Sequence, residues 1–175
     1  MNETIKCLIG RRSIRSYTDQ MIPGDILDEI LQAGIYAPSG GNQQSATVIV
    51  TQNRETIRKL EIMNAKYIPS KKTDIRPYYN ASTLITIIAR SDSGSPHEDG
   101  ALIAGNIMNA AFSYGIGSCW VHRAREMFES EEGLAYLKEW GIEGNYIGIC
   151  QIVLGYPACE IPQAPKRKDN YIYKV

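Results

Sequence analysis

A short basic segment near the start of the chain carries the residue types best suited to chemistry. Arg11, Arg12 and Arg15 surround Ser13 within five residues, so three permanently charged guanidinium groups lie beside one hydroxyl. Such groups form paired, charge-assisted hydrogen bonds with the oxygens of a phosphate dianion. A second basic run, 166–168, stands almost at the other end of the chain. The pattern predicts a small phosphorylated ligand, although the C-terminus of a preceding helix, which also favours cations, would explain one of these arginines.

The overall charge of the chain favours such a ligand over a nucleic acid. Nineteen Lys and Arg residues balance nineteen Asp and Glu residues, whereas a nucleic-acid backbone normally requires a broad basic face. The longest apolar stretches are far shorter than the roughly 20 residues of a membrane span. No signal peptide is visible at the N-terminus. We therefore expect a cytoplasmic protein without a nucleic-acid or membrane partner.

The cysteines and histidines indicate neither a metal site nor a hydrolase. The four cysteines show no C-x-x-C or zinc-ligand spacing, and the chain has only two histidines, His97 and His122. No Ser-His-Asp or Cys-His arrangement follows from spacing, so we predict no metal and name no catalytic side chain. A site without acid–base machinery is typical of proteins in which a redox cofactor carries the reaction.

Two glycine-containing segments could bring backbone N–H groups close to a ligand. The first runs from Ser39 to Gln44, and the second from Gly115 to His122 with Trp120 inside it. Small residues permit such an approach, but neither segment matches a P-loop or a dinucleotide-binding fingerprint. The first segment could equally be a solvent-exposed turn, and the second could equally be a tight turn beside a core tryptophan.

Periodicity places these segments among helices and strands of one domain, residues 1–175. An apolar stripe over 5–9 predicts a helix that runs into the basic segment, and Pro23 opens a second helix that stops before Pro38. Further helices are predicted over 54–66, 98–114 and 125–139. Strands are predicted over 47–51, 84–89, 118–121 and 146–154, with a final strand at 171–173. This arrangement predicts an α/β or α+β sandwich.

Several motifs in order resemble those of the nitroreductase family of FMN-dependent oxidoreductases. They are RRSIRSY at 11–17, APSGGNQQ at 37–44, GIGSCWV at 115–121, LGYPA at 154–158 and PKRK at 165–168. The resemblance covers nearly the whole chain. It implies an α+β fold, a three-layer α-β-α sandwich with a central mixed sheet, and a homodimer with two FMN sites at the subunit interface.

The resemblance also implies which residues bind FMN. Those of one subunit would be Arg11, Arg12, Ser13, Arg15, Trp120, Val121, His122, Arg167 and Lys168. Those of the other subunit would be Pro38, Ser39, Gly40, Asn42 and Gln44. The basic segment and the tail cations would hold the phosphate or ribityl chain, with Arg15 near the pyrimidine edge of the ring. The stretch 120–122 would line the ring, with a backbone N–H directed at N5, the hydride-accepting atom.

The chain departs from the family pattern in two places. Ser45-Ala46 replaces a common Pro-Trp pair, and His122 with Arg123 occupies a stretch that usually holds a small residue. Both leave FMN binding in place and open the question of substrate preference. The loop 66–80 also carries cations, at positions 66, 71, 72 and 76, any of which could contact the pyrimidine edge of the flavin.

The implied activity is ping-pong hydride transfer from NAD(P)H, through flavin N5, to electron-poor acceptors such as nitroaromatics or quinones. Two alternatives stay open. The same scaffold serves specialised flavoenzymes, such as dehalogenases and dehydrogenases, and a non-catalytic FMN-binding or sensing module would share the motifs. An α/β domain with surface arginine clusters and no phosphate ligand is the simplest reading of the residues alone.

Overall fold

Four strands form a single sheet in the computed structural model, which describes residues 1–70 and 74–175. The strands are β1 (Ala46–Thr51), β2 (Thr83–Arg90), β3 (Gly117–Val121) and β4 (Tyr146–Gly155). Their order across the sheet is β1-β2-β4-β3, so the long strands β2 and β4 are central. Each agrees with a predicted strand to within one residue at either end, because runs of β-branched and other apolar residues mark buried strands clearly.

The pairing of these strands is antiparallel throughout, where the resemblance implied a mixed sheet. Within the described residues, the parallel pairing is one isolated bridge, between Ser13 and Ser118. A parallel pair needs a long crossover connection, and here the chain between residues 13 and 118 provides it. The bridge lays the basic segment along the outer edge of β3.

Six α-helices cover the sheet in the described residues. They are α1 (Glu3–Gly10), α2 (Gly24–Ile35), α3 (Arg54–Ala65), α4 (Pro96–Ser113), α5 (Ala124–Phe128) and α6 (Glu131–Glu139). The predicted helix over 125–139 is in fact two helices. Ser130 begins α6 as its N-cap, and its side chain accepts a hydrogen bond from the Gly133 N–H at 3.2 Å. The predicted strand at 171–173 is wrong, since these exposed residues pair with no strand in the described parts of the chain.

The two faces of the sheet carry separate apolar clusters, because side chains alternate along each strand. On one face, Leu84, Ile88 and Val153 pack with residues of α3, α5 and α6. On the other, Ile85 and Ile152 pack with residues of α2 and α4. The α+β class and the three-layer α-β-α sandwich are therefore confirmed.

The helix α4 is packed on several sides, as its small residues predict. A Cβ atom on Gly100 would lie 2.8 Å from the side chain of Ile149 in β4. On α2, a Cβ on Gly34 would lie 2.5 Å from Ile107 of α4. Glycine at these contacts lets α4 approach its neighbours closely and fixes the positions of the segments at its two ends. In the described part of the chain, no helix is both long and apolar enough to cross a membrane.

Candidate cofactor site

The basic segment 11–15 is anchored to the sheet through its backbone. The Ile14 N–H donates to the Ser118 carbonyl at 2.9 Å, and the Thr18 N–H donates to the Tyr156 carbonyl at 2.9 Å. The Ile14 side chain is only 3% exposed and lies over Gly117, where a Cβ would come within 2.9 Å of it. The core therefore fixes the position of the arginines that flank Ile14.

Two of the three arginines of this segment have buried donor atoms, and the third, Arg15, is exposed. Arg11 Nη1 and Arg12 Nε are buried, as is the Ser118 hydroxyl, and none of the three has a hydrogen-bond partner among the described residues. Leaving such groups unpaired is costly, and most so for charged ones. A phosphate group, with several acceptor oxygens, is the kind of ligand that such a donor set fits.

The cations of the segment fall into two groups. Burial raises the pKa of the Cys119 thiol, and Arg15, a hydrogen bond from Ser13 and Arg11 each act to lower it. Arg11, Ser13 and Arg15 thus all act on one buried thiol. Arg12 is placed differently: its Nη1 donates to the carbonyls of residues 9 and 11 at 2.7 and 2.6 Å, which helps to cap α1.

The Gly-rich loop is held by Asp99, a residue that the sequence analysis did not single out. This carboxylate is 2% exposed and accepts hydrogen bonds from the Gly40 N–H at 2.9 Å, the Ser45 hydroxyl at 2.6 Å and the Ser95 hydroxyl at 3.0 Å. The bonds from Ser45, Gly40 and Ser95 lower the pKa of Asp99, and burial opposes them. Ser45, one of the two departures from the family pattern, was the available signal.

The predicted residues of this loop lie mostly at the surface. Ser39 is half-buried and its hydroxyl accepts the Gln44 N–H at 3.0 Å, while Pro38 and Gly40 are exposed. Asn42 and Gln44 are also exposed and have left-handed φ values of 55° and 49°. The loop is a defined turn that directs polar groups outward.

Within one chain, the loop and the basic segment lie apart. The loop precedes β1 at one edge of the sheet, and the basic segment borders β3 at the other, three strand spacings or about 14 Å away. They also flank opposite ends of α4, and residues 99–113 of this helix span about 21 Å. That the loop serves the site of another subunit stays a prediction.

The stretch 120–122 leads into a cleft of about 520 Å³ at the end of β3. Trp120 and His122 line it together with Arg123, Arg125 and two residues of α4, His97 and Ala101. The side chain of Val121 points into the core instead and packs in the cluster that contains Cys119 and Phe128. Val121 is therefore not among the residues that line the cleft.

The local backbone of this stretch is fixed by a second residue that the sequence analysis missed. Asn64, on α3, donates from Nδ2 to the His122 carbonyl at 2.7 Å. The next residue, Arg123, has a left-handed φ of 81°, a conformation that costs a residue with a side chain free energy. The hydrogen-bond partners of the buried Asn64 side chain lie 58 and 87 positions away along the chain, so no local sequence pattern indicates its role.

The tail cations and the loop 66–80 stand outside this arrangement. Arg167 and Lys168 are exposed, and in the described structure no hydrogen bond or ion pair joins them to segment 11–15; Lys168 lies over the ring of Tyr171 at 5.3 Å. Their convergence on the phosphate stays a prediction.

The cations of the loop 66–80 that the structure describes form ion pairs elsewhere. Arg76 pairs with the buried carboxylate of Glu61 at 2.7 Å. Lys66 pairs with a residue of α6, and positions 71 and 72 lie outside the described residues.

The structure is that of an α+β protein whose basic segment and neighbouring strand carry buried donors without a partner among the described residues. Comparison with known proteins gives the family: residues 8–156 match the nitroreductase family, and the chain belongs to it.

Individual relatives agree with this assignment. The chain is 33% identical over 168 residues to a protein of Archaeoglobus fulgidus provisionally named an NADH dehydrogenase/NAD(P)H nitroreductase, which covers 91% of this chain and 88% of the relative. A nitroreductase with bound FMN from Bacteroides fragilis is 28% identical, with a TM-score of 0.91 over 100% of both chains. Another, also with bound FMN, from Desulfitobacterium hafniense is 27% identical, with a TM-score of 0.88 over 100% of both chains.

Proposed function

We propose that this protein is an FMN-dependent oxidoreductase that uses NAD(P)H to reduce electron-poor acceptors, such as nitroaromatics or quinones, in a ping-pong cycle. Membership of the nitroreductase family supports both the flavin and the donor. One observation on this chain carries the proposal: Arg11 Nη1, Arg12 Nε and the Ser118 hydroxyl are buried and have no hydrogen-bond partner among the described residues. Phosphate oxygens would accept hydrogen bonds from such donors.

We assign the residues of the proposed site to different parts of the cofactor and to the substrates. Arg11 and Arg12, supported by Ser13, would bind the FMN phosphate or ribityl chain, and Arg15 would stabilise negative charge at the pyrimidine edge. When bound, FMN supplies the hydride-accepting ring. The cleft beside Trp120 and His122 would hold the donor and the acceptor in turn, because a ping-pong cycle needs only one substrate space.

We further propose a homodimer with shared sites. The helix α1 has no buried residue, although it is amphipathic, and its apolar side chains Ile5, Leu8 and Ile9 are 41–58% exposed. Leu102 on the neighbouring α4 is also exposed. An exposed apolar surface of this kind marks an interaction site. A second copy that covers it would bring its own Gly-rich loop, which points outward, toward the first copy's site.

Anaerobic absorbance spectroscopy tests the proposed function. The protein is supplemented with FMN, desalted and mixed with NADH or NADPH. We expect flavin bands that bleach with the preferred donor and return when a quinone or nitroarene is added. Bands that never bleach would favour a binding or sensing module, and a colourless protein would refute the flavin assignment.

Light scattering tests the shared site separately. If each site needs residues of both subunits, FMN stabilises the dimer by mass action, and the apparent dimer dissociation constant falls when FMN is added. A monomer that is fully loaded with FMN would contradict the shared-site arrangement.

A further inference from the structure

Hydrogen bonds fix both the backbone and the side chain of His122. Its carbonyl oxygen accepts a hydrogen bond from Asn64 Nδ2 at 2.7 Å, and Asn64 is 0% exposed. The same amide group donates to Gln151 Oε1 at 2.9 Å, and the Tyr78 hydroxyl donates to that oxygen at 2.6 Å. A buried polar network therefore fixes the backbone from which the His122 side chain projects.

The imidazole ring of His122 is oriented by Trp120. The indole Nε1 of Trp120 lies 3.3 Å from His122 Nδ1, and the two rings form an edge-on pair with centroids 5.9 Å apart. An indole nitrogen can only donate. Nδ1 must therefore be the acceptor nitrogen of a neutral imidazole, which places the ring proton on Nε2.

The packing of Trp120 keeps the orientation of the His122 ring fixed. Its side chain is half-buried and packs against the apolar cluster between the sheet and α4. The imidazole of His122, in contrast, is exposed to the cleft at the end of β3. The core therefore fixes the indole ring of Trp120, and this ring in turn orients the imidazole of His122 at the surface.

Both arginines of the cleft already have carboxylate partners, and His97 lines it as a second imidazole. Arg123 pairs with Glu126 at 2.8 Å, and Arg125 pairs with Glu129 at 2.9 Å. In the described structure, no hydrogen bond engages His122 Nε2. Ala101 and Ile149 supply an apolar wall. The cleft thus offers a flat molecule one apolar surface and a directed N–H donor.

We propose that His122 donates its Nε2–H to an oxygen of the electron acceptor, a quinone carbonyl or a nitro oxygen, and that Trp120 is the positioning residue that fixes the required tautomer. The proposal rests on the proposed function. As the acceptor takes up hydride, negative charge develops on this oxygen, and a preoriented donor stabilises it. For a quinone, the oxygen then takes its proton from solvent and His122 keeps its own, so that hydride and proton together give the hydroquinone. A neutral imidazole is suited to donate a hydrogen bond in this way.

The tautomer is measured directly by ¹⁵N NMR of the FMN-supplemented protein at a pH where imidazole is neutral. The chain has only two histidines, so His97→Gln assigns both sets of signals. We expect a protonated Nε2 and an unprotonated Nδ1 for His122, and a mixture of tautomers in Trp120→Phe. A protonated Nδ1 in the unsubstituted protein, or no change in Trp120→Phe, would overturn the proposal whether or not the protein is an oxidoreductase.

Stopped-flow kinetics tests the role of the donor. The flavin is reduced with dithionite, so that reoxidation by a quinone is measured without reliance on NAD(P)H. We expect His122→Ala to slow reoxidation by about tenfold or more, as the loss of one directed donor does, and His122→Gln, which keeps an N–H, to recover part of the rate.

The comparison of the two half-reactions decides the interpretation. If His122→Ala slows reduction by NAD(P)H as much as reoxidation by the quinone, the residue acts through the flavin and the proposal is wrong. A failure of NAD(P)H to reduce the flavin of the unsubstituted protein would instead refute the proposed function, while the tautomer and the reoxidation rates would still decide the role of His122.

Discussion

The two basic segments that the family resemblance predicts to bind one phosphate differ in structure. The N-terminal segment 11–15 is tied to β3 by a backbone hydrogen bond, with Ile14 buried over Gly117. The C-terminal tail, residues 158–175, is exposed along its whole length. At its start the Ala158 N–H donates to the Ser16 carbonyl at 2.9 Å. Farther along, the cations of the tail make local contacts, such as the ion pair between Lys166 and Asp169 at 3.3 Å.

The difference concerns the free energy that each segment can contribute to binding. Arg11 and Arg12 of the N-terminal segment are positioned and partly desolvated before a ligand arrives, so their hydrogen bonds are strong, whereas Arg15 is exposed. The tail cations are surrounded by water, are screened by salt, and must be ordered on binding at a cost in entropy. We therefore expect the N-terminal segment to dominate affinity for the phosphate.

Removing the anchor of the N-terminal segment should have the largest effect. Ile14→Ala should lower the free energy of unfolding by about 2–5 kcal/mol, as for other buried isoleucines, and should weaken FMN binding, because the arginines lose their support. Chemical denaturation and flavin titration measure the two effects. The matched control is Ile22→Ala, since Ile22 is 2% exposed in the cluster on the other face. Equal losses of FMN affinity in the two variants would contradict the anchoring role.

Removing one charge of the same segment should act on binding alone. Arg11→Ala should weaken FMN binding by more than tenfold, because a hydrogen bond to a charged group contributes about 1.5–3 kcal/mol. The control is Arg54→Ala, which removes a half-exposed arginine paired with Asp19 at 3.2 Å. Equilibrium flavin titration at low and high salt measures both variants. An unchanged affinity in Arg11→Ala would remove this residue from the phosphate site.

The Gly-rich loop is a third region to compare with the two basic segments, and the buried carboxylate of Asp99 anchors it. The folded state lowers the pKa of Asp99, so Asp99 stabilises the fold above the unfolded-state pKa of about 3.9, and this stabilisation is lost as pH falls through the folded-state pKa. Asp99→Asn should lower the free energy of unfolding near pH 7 by about 1–2 kcal/mol. Denaturation series from neutral to acid pH should then show a flatter pH dependence than for the unsubstituted protein. Parallel curves would mean that another carboxylate controls acid stability.

Changing the tail should have the smallest effect. The double substitution Arg167→Ala and Lys168→Ala should weaken FMN binding by less than about fivefold at low salt, in line with exposed ion pairs. The difference should disappear at about 0.5 M NaCl, where the Debye length is only a few ångströms. A larger or salt-resistant loss would show that the tail is ordered in the dimer and comparable to segment 11–15.

The elements of the fold were more predictable than their connections. Runs such as residues 84–89 are continuously apolar and β-branched, so both the existence and the bounds of the strands followed from the sequence. The break between α5 and α6 was missed although Ser130, followed by two glutamates, is a typical helix start. The wrong strand at 171–173 has the composition of a strand but no neighbour to pair with, and β-propensity is realised only against a partner.

The candidate site was predictable where residues lie close in sequence. The arginines of segment 11–15 and the turn at 120–122 are local motifs, and the family resemblance selected them. Asp99 and Asn64 were not found, because each acts through partners 54 to 87 positions away. The placement of Val121 in the core likewise depends on which side of β3 faces α5, and this is decided by tertiary packing.

The bridge between Ser13 and Ser118 has a consequence for the order in which the protein is assembled during synthesis. Residues 13–18 leave the ribosome early, yet their partners are Ser118 and the stretch Tyr156–Ala158. The basic segment cannot complete its hydrogen bonds until residues 156–158 have been made, and contacts this distant in sequence are slow to form. The segment is therefore translated well before it can fold into place, and late amide protection of Ile14 during refolding would show the delay.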